Sequence, residues 1–283
     1  MKKQLFILLG ILTITSLACS FTVNLPSIDT IPEETADIHE SVPSRLDAVS
    51  LHLEIGAAKV SLDSGAKSLV DGTVTYNVAG WDPKVSWDED ELTIKQETQG
   101  IKGLPSSKVI NNWNLSLGGN TPIALSINAG AYSGEMELGG LALSSLKIDD
   151  GASTNTVSFS KLNPVTMQKL DYNTGASTIK MKGLANANFE EMEFSGGAGS
   201  YELDFSGEFQ QDASVDIEAG VSSIKIIIPD GTQAEIKVNG EMKNINTVGT
   251  WTVNGSRYST DGSGPVLSIN INMNLGSLDL VRD

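Results

Sequence analysis

The sequence predicts an all-β fold: a single-domain β-solenoid of the parallel β-helix type, with about 22 residues per coil and antiparallel hairpin caps. Three observations carry this. A glycine followed by a small residue recurs five times, apolar residues alternate with period two on both sides of it, and no stretch shows convincing helical periodicity.

The recurring pairs are Gly130-Ala131, Gly151-Ala152, Gly175-Ala176, Gly197-Ala198 and Gly220-Val221, separated by 21, 24, 22 and 23 residues. Five and three residues before the glycine stand Leu125 and Ile127, Leu146 and Ile148, Leu170 and Tyr172, Met192 and Phe194, and Val215 and Ile217. Four, six and eight residues after it, twelve of fifteen positions are apolar; Gly134, Asn155 and Gly183 are the departures. Period-two alternation on each side means two half-buried strands per unit. Odd offsets before the glycine become even offsets after it, which a straight strand cannot do. A corner or bulge is therefore expected at each glycine. Two further units fit the register, one around Gly56 and one around Asn274, where asparagine stands in the glycine place as a residue that also tolerates a left-handed φ. The predicted corner positions are thus Gly56, Gly130, Gly151, Gly175, Gly197, Gly220 and Asn274. One coil cannot bury its own apolar side chains and must stack on its neighbours.

The gaps between the first two and the last two units hold other strand-like material. Residues 73–77, 84–87 and 92–96 read as strands, with Asp88-Glu89-Asp90-Glu91 turning the last two into a hairpin. Residues 234–238 and 250–253 are also strand-like, and Asn239-Gly240 and Asn254-Gly255 are hairpin-turn signals. Both inserts are expected to flank or cap the open ends of the stack. The four tryptophans, Trp81, Trp87, Trp113 and Trp251, all fall outside the regular units and are expected to pack over those ends.

Before the repeat lies a targeting segment. Lys2 and Lys3 precede an apolar stretch over 5–17, too short to span a bilayer but suited to a signal peptide. It ends in Ser16-Leu17-Ala18-Cys19-Ser20, which resembles a lipobox with its leucine one place late. Residues 1–18 read as a lipoprotein signal peptide, Cys19 as the lipidation site, and 19–45, with three prolines, as a flexible tether. Stable anchoring takes two or more acyl chains, since each buried CH₂ contributes about 0.8 kcal/mol. The expected location is the extracytoplasmic side of the cell membrane or outer envelope.

Charge narrows the partners. The chain carries a formal net charge of -16, and loss of Lys2 and Lys3 leaves -16 - 2 = -18. Such a surface repels nucleic acid and anionic headgroups, so contact with the membrane is expected through the lipid alone, with an envelope protein or polysaccharide as the other partner. A single cysteine excludes a disulfide framework. His39 and His52 have no partner at metal-ligand spacing, and Gly196-Gly197-Ala198-Gly199 belongs to the corner pattern and not to a phosphate loop. Stacked coils would align Lys147, Asp171, Glu193 and Asp216 in one column, and Lys180, Glu202 and Lys225 in another. The second reads as a register-setting charge ladder. Asp171, Glu193 and Asp216 are the candidate cation ligands, and also the only carboxylate group open to a carbohydrate-active β-helix reaction. No catalytic residue and no cofactor are expected.

Residues 112–117 (Asn-Trp-Asn-Leu-Ser-Leu) and 121–131 resemble the join between the two parts of toast-rack proteins, bacterial envelope proteins. Ile228-Pro229-Asp230-Gly231 and the closing 275–280 also match that pattern, and the resemblance covers 46–283. It is similar in its repeat to the carboxy-terminal β-solenoid of cell-wall-active antibiotic-response regulators and to adhesin-like proteins. The resemblance implies an N-terminal toast-rack-like β region over 46–122 and a solenoid over 123–283. It implies a non-catalytic scaffold or adhesin-like role, with an envelope-stress sensor acting through a membrane partner as the alternative. The regulators carry membrane helices where this chain has a lipoprotein signal.

Overall fold

A computed structural model describes residues 28–97, 107–240 and 244–283. Within them sixteen strands join in one sheet. In chain order these begin β1 (Glu34–Glu40), β2 (Val49–Ala66), β3 (Val70–Tyr76), β4 (Pro83–Asp88), β5 (Glu91–Gln96) and β6 (Asn111–Gly118). The long strands β7 (Ile123–Glu137), β8 (Leu143–Ser158), β9 (Met167–Lys182), β10 (Phe189–Asp204) and β11 (Ala213–Ile228) follow. The chain closes with β12 (Gln233–Asn239), β13 (Asn244–Val248), β14 (Thr252–Asn254), β15 (Arg257–Thr260) and β16 (Val266–Arg282). A 3-10 turn spans Leu184–Ala187.

The seven repeat units are β2, β7, β8, β9, β10, β11 and β16, side by side and parallel, so the first and last units belong to the same stack as the middle five. Equivalent residues pair: Leu53 with Ile127, Ile127 with Ile148, Ile148 with Tyr172, Phe194 with Ile217, and Ile217 with Ile271. In β8, beyond its buried first residue Leu143, the buried residues are Leu146 and Ile148 before Gly151, then Ser153, Asn155 and Val157 after it, so inward parity switches at the glycine. The returns between strands stack as well, with Phe159 N–H donating to Lys182 O at 2.9 Å and Phe205 N–H to Ile227 O at 3.0 Å. Asn163, buried in one return, donates to Leu143 O at 2.8 Å and Ala187 O at 3.1 Å. The pairing of β2 with β7 crosses residue 122, and one core runs from Leu51 to Leu280.

What the corner glycines need is close approach. Neither they nor Asn274 has a left-handed φ, which corrects the expectation that Asn274 serves for that conformation. A Cβ on Gly151 would stand 2.9 Å from Gly130 O, one on Gly175 2.4 Å from Gly151 O, one on Gly197 2.3 Å from Gly175 O, and one on Gly220 2.4 Å from Gly197 O. The corners form a column of backbone on backbone. In the last coil the left-handed position is Gly276 (φ 140°), where a Cβ would lie 1.7 Å from Ser222 O.

Each end carries an extra rung made of two separate strands. β5 pairs parallel with the first half of β2 and β6 with its second half. β12 and β13 do the same on β16. Antiparallel strands cover these rungs: β4 on β5, β3 on β6, β1 on β3, β15 on β12 and β14 on β15. The β4–β5 and β14–β15 hairpins turn at the predicted acidic tetrad and at Asn254-Gly255. Asn239-Gly240 makes no hairpin: β12 and β13 both run parallel to β16, and Gly240 (φ 113°) sits where a Cβ would be 2.0 Å from Met273 O. Where β5 and β6 interrupt the glycine column, side chains cap it. Gly56 N–H donates to Gln96 Oε1 at 3.0 Å, and Asn111 donates to the same oxygen at 2.8 Å and to Ala57 O at 2.7 Å.

The tether expected over 19–45 is corrected at 34–40, which form β1. An edge strand laid on the end of the sheet needs little apolar material, and only Ile38 is buried, so no alternation announces it. His39 Nδ1 meets Asp71 Oδ1 at 2.5 Å across β1 and β3.

Candidate functional site

Cys19 and the signal segment lie outside the described residues. Among the described residues, no helix is long and apolar enough to cross a membrane.

The acidic column forms in register: Lys147 pairs with Asp171, Asp171 with Glu193, Glu193 with Asp216, and Asp216 with Asn270. Its carboxylates do not converge. Asn173 donates to Asp171 at 2.8 Å, Lys169 pairs with Glu193 at 2.8 Å, and Asn270 donates to Asp216 at 3.1 Å. The hydrogen bond to Glu193 holds the Lys169 ammonium above the usual lysine value. Among the described residues, no group of three His, Cys, Asp or Glu side chains is placed to hold a metal ion. On the other face, Lys225 reaches Glu202 at 3.4 Å within the second charge column.

The densest polar arrangement lies inside the corner, at the residues just before each glycine and two after it. Asp150 is its hub. Its Oδ2 accepts from Tyr172 Oη at 3.0 Å and Ser153 Oγ at 2.9 Å, and its Oδ1 from Thr174 Oγ1. Thr174 and Ser177 hydroxyls lie 2.6 Å apart, and Ser153 N–H donates to Ser177 Oγ at 2.9 Å. Asn155 Nδ2 donates to Tyr132 Oη at 2.7 Å and Tyr172 Oη at 2.9 Å. Burial pushes the Tyr132 and Tyr172 phenols far above the ordinary value, and for Tyr172 the Asp150 charge adds to it. Phenols so held stay neutral and do not exchange protons near neutral pH; the network fixes three rungs against one another. Asn155 Oδ1 and Tyr201 Oη have no partner among the described residues.

The sequence held a trace of this network. Gly134 and Asn155 both depart from the apolar template, and they explain one another: a Cβ on Gly134 would stand 2.5 Å from Asn155 Oδ1. Asp150 itself carried no signal, because the position before the glycine varies freely.

Over the same corner runs an open groove of about 510 Å³, crossing β8, β9, β10, β11 and β16. Asp149, Asn173, Ser195, Glu218 and Asn272 line it at one offset, two residues before each corner. Asp150, Thr174, Gly196 and Ala219, one residue before it, line the base. Beside it, one residue past the corner, Val221 and its cross-strand neighbour Leu275 are 58% and 51% exposed.

Of the four tryptophans, Trp113 and Trp81 are buried, Trp87 Nε1 donates to Glu40 at 2.8 Å, and Trp251 Nε1 donates to Val248 O at 3.0 Å. All four sit in the end structures.

Comparison with known proteins follows this geometry. Solved structures similar to the chain include a candidate cell adhesion protein from Clostridium sporogenes, 17% identical, covering 90% of this chain and 100% of its own, with a TM-score of 0.49. A candidate lipid binding protein from Parabacteroides distasonis is 15% identical, with 90% and 99% covered and a TM-score of 0.39. A candidate adhesin from Parabacteroides merdae is 12% identical, with 88% and 95% covered and a TM-score of 0.36. No curated protein matches the chain. The family model of the N-terminal domain of toast-rack proteins matches residues 28–168 and 161–227, together more than half of the 283 residues. With that match laid over a stacked all-β repeat, the chain belongs to the toast-rack family.

Proposed function

We propose that the chain is a non-catalytic, lipid-anchored protein of the bacterial cell envelope whose solenoid is an interaction surface, in the manner of a scaffold or adhesin. The observation that carries this is the uniformity of its outward columns. Equal offsets repeat from β2 to β16 with carboxylates spread along the stack and engaged one by one. Catalysis needs the opposite, a few groups converging on one reacting atom. A long face of repeated side chains suits an extended partner, as solenoids generally do. Cys19 supplies the anchor in this reading, and residues between it and β1 set the stand-off from the membrane.

Two experiments test it. Labelling cells with a radiolabelled fatty acid should mark the wild-type chain and not Cys19→Ala; equal labelling of both removes the anchor. Cross-linking in the native envelope should recover a partner through the strand faces, and recovery of none sinks the interaction-surface reading.

A further inference from the structure

We infer that Asn254 modifies itself: in the folded chain it deamidates through its bond to Gly255, while Asn239, the other asparagine followed by glycine, is held from doing so. This goes beyond the interaction-surface reading and does not depend on it.

An asparagine before glycine carries its own nucleophile. The Gly255 amide nitrogen loses its proton and attacks the Asn254 side-chain carbonyl carbon. A C–N bond forms, the bond to the side-chain nitrogen breaks, and ammonia leaves with that proton. Water then opens the cyclic imide at either carbonyl carbon, giving aspartate or, with the main chain rerouted through the side chain, isoaspartate. Glycine favours closure because no Cβ shields its nitrogen. Closure also requires the Asn–Gly peptide to turn out of the extended form, so a peptide locked in a ladder does not react.

The two sites are opposite cases. Asn254 ends β14, an exposed strand of three residues that closes the sheet and pairs with β15 alone among the described residues. Gly255 opens the turn with φ 60°, and a Cβ there would meet nothing within 4 Å. Its N–H makes no hydrogen bond among the described residues. The turn is anchored one residue on, where Val238 N–H donates to Ser256 O at 2.9 Å, which leaves the reacting nitrogen free. Asn239 is also exposed, yet it ends β12 in register with Asn272 of β16. Gly240 beside it lies so close to β16 that a Cβ would be 2.0 Å from Met273 O. Turning that peptide requires the β12–β16 ladder to open first.

Charge separates them further. Arg257 of β15 stands opposite Asn254, and Lys237 of β12 opposite Arg257. Neither cation has an ion pair among the described residues, although the chain holds 35 acidic residues against 19 basic ones. All three line one depression of about 420 Å³, where Glu235, opposite Ser259, is the sole carboxylate among the lining residues. Negative charge develops on nitrogen and on the carbonyl oxygen as the ring closes, and cations on that side stabilise it. From Asn239 the corresponding row runs to Asn272 and then to the carboxylate of Glu218. The aspartate product gives Arg257 the carboxylate it lacks. Isoaspartate instead lengthens the main chain at the turn and breaks the register of position 254 with Arg257.

The test is incubation of the full purified chain in heavy-oxygen water at neutral pH, with samples digested in ordinary water and the peptides holding Asn254 and Asn239 followed by mass spectrometry. In the folded chain the Asn254 peptide should take up heavy oxygen more than about tenfold faster than the Asn239 peptide, and should yield both aspartate and isoaspartate. In urea the two should react at similar rates, because the fold sets the difference. Arg257→Gln should slow Asn254 about threefold, and Arg257→Lys should restore the rate. Equal rates in the folded chain, a faster Asn239, or reaction of both only in urea overturns the inference. An unchanged rate in Arg257→Gln overturns the part assigned to charge.

Discussion

Adding one methyl group to the glycine column gives a graded measurement of how closely the coils approach. In Gly197→Ala the new Cβ would lie 2.3 Å from Gly175 O, whereas ordinary contact begins at 3.4 Å, so the rungs must part locally by about 3.4 - 2.3 = 1.1 Å. The struck atom is backbone, paired in register on both sides of the corner, and cannot swing away. Overpacking of this kind costs about 1–3 kcal/mol. Because φ is not left-handed, alanine also gains roughly 0.4–1 kcal/mol by restricting the unfolded chain. With so close a clash the upper end of that range applies, and the net loss is about 2 kcal/mol for Gly197, and similar for Gly175 and Gly220, whose clashes are both 2.4 Å. Gly151, at 2.9 Å, should lose about 1 kcal/mol, and Gly130, at 3.2 Å, close to nothing. Urea unfolding followed by far-UV circular dichroism reads these as shifts in midpoint, and Tm should fall about 4–8 °C for the worst cases. Equal losses at all five sites, or the largest loss at Gly130, would refute close approach as the reason for the glycines.

Asp150→Ala leaves the hydroxyls of Tyr172, Ser153 and Thr174 without their acceptor and should destabilise by about 3 kcal/mol in the same assay, with Asp150→Asn losing about half as much. Buried Tyr132 and Tyr172 keep their protons above the ordinary phenol value of 10.0, while the unfolded chain releases them there. Stability is therefore full below pH 10 and falls as pH rises beyond it. Phenolate absorbance from these two should appear only with unfolding, and reversible titration in the folded protein would contradict their burial. Val248, 57% exposed on β13, a strand that among the described residues pairs only with β16, can become lysine with a stability change within about 0.5 kcal/mol. Any concentration-dependent self-association seen by sedimentation should then diminish, since β13 is an uncharged edge whereas β1 is acidic, β4 begins at Pro83 and β14 has only three residues.

The regular coils were legible because one physical demand, burial on alternating offsets either side of a corner, is written seven times. Leu146, Ile148 and Val157 mean little alone, but the same offsets at Met192, Phe194 and Leu203 fix a register that the strand pairing reproduces residue for residue. The end rungs were not legible as rungs. β5 and β6 together do the work of one coil, but the chain leaves at Gln96 and returns at Asn111, so no single window holds the pattern. β12 and β13 are likewise split at Gly240, and the Asn-Gly pair there reads locally as a hairpin although both strands follow β16. The Asp150 network was hidden for a different reason. It depends on which side chains of three rungs meet, and a template built from the apolar majority treats Asn155 and Gly134 as noise.

The position of β16 has a consequence for how the molecule comes together as it is made. β12, β13, β14 and β15 precede it in the chain, yet β16 lies between β11 and the β12–β13 rung. A chain emerging from its amino terminus can add coil upon coil only as far as β11, and then must wait. The strands already synthesised beyond that point have nothing to rest on, and the growing edge of β11 stays bare, until the final seventeen-residue strand slides into the space between them. A chain stopped short of Val266 would lack the β16 coil and, with it, the seat of every strand that covers that end.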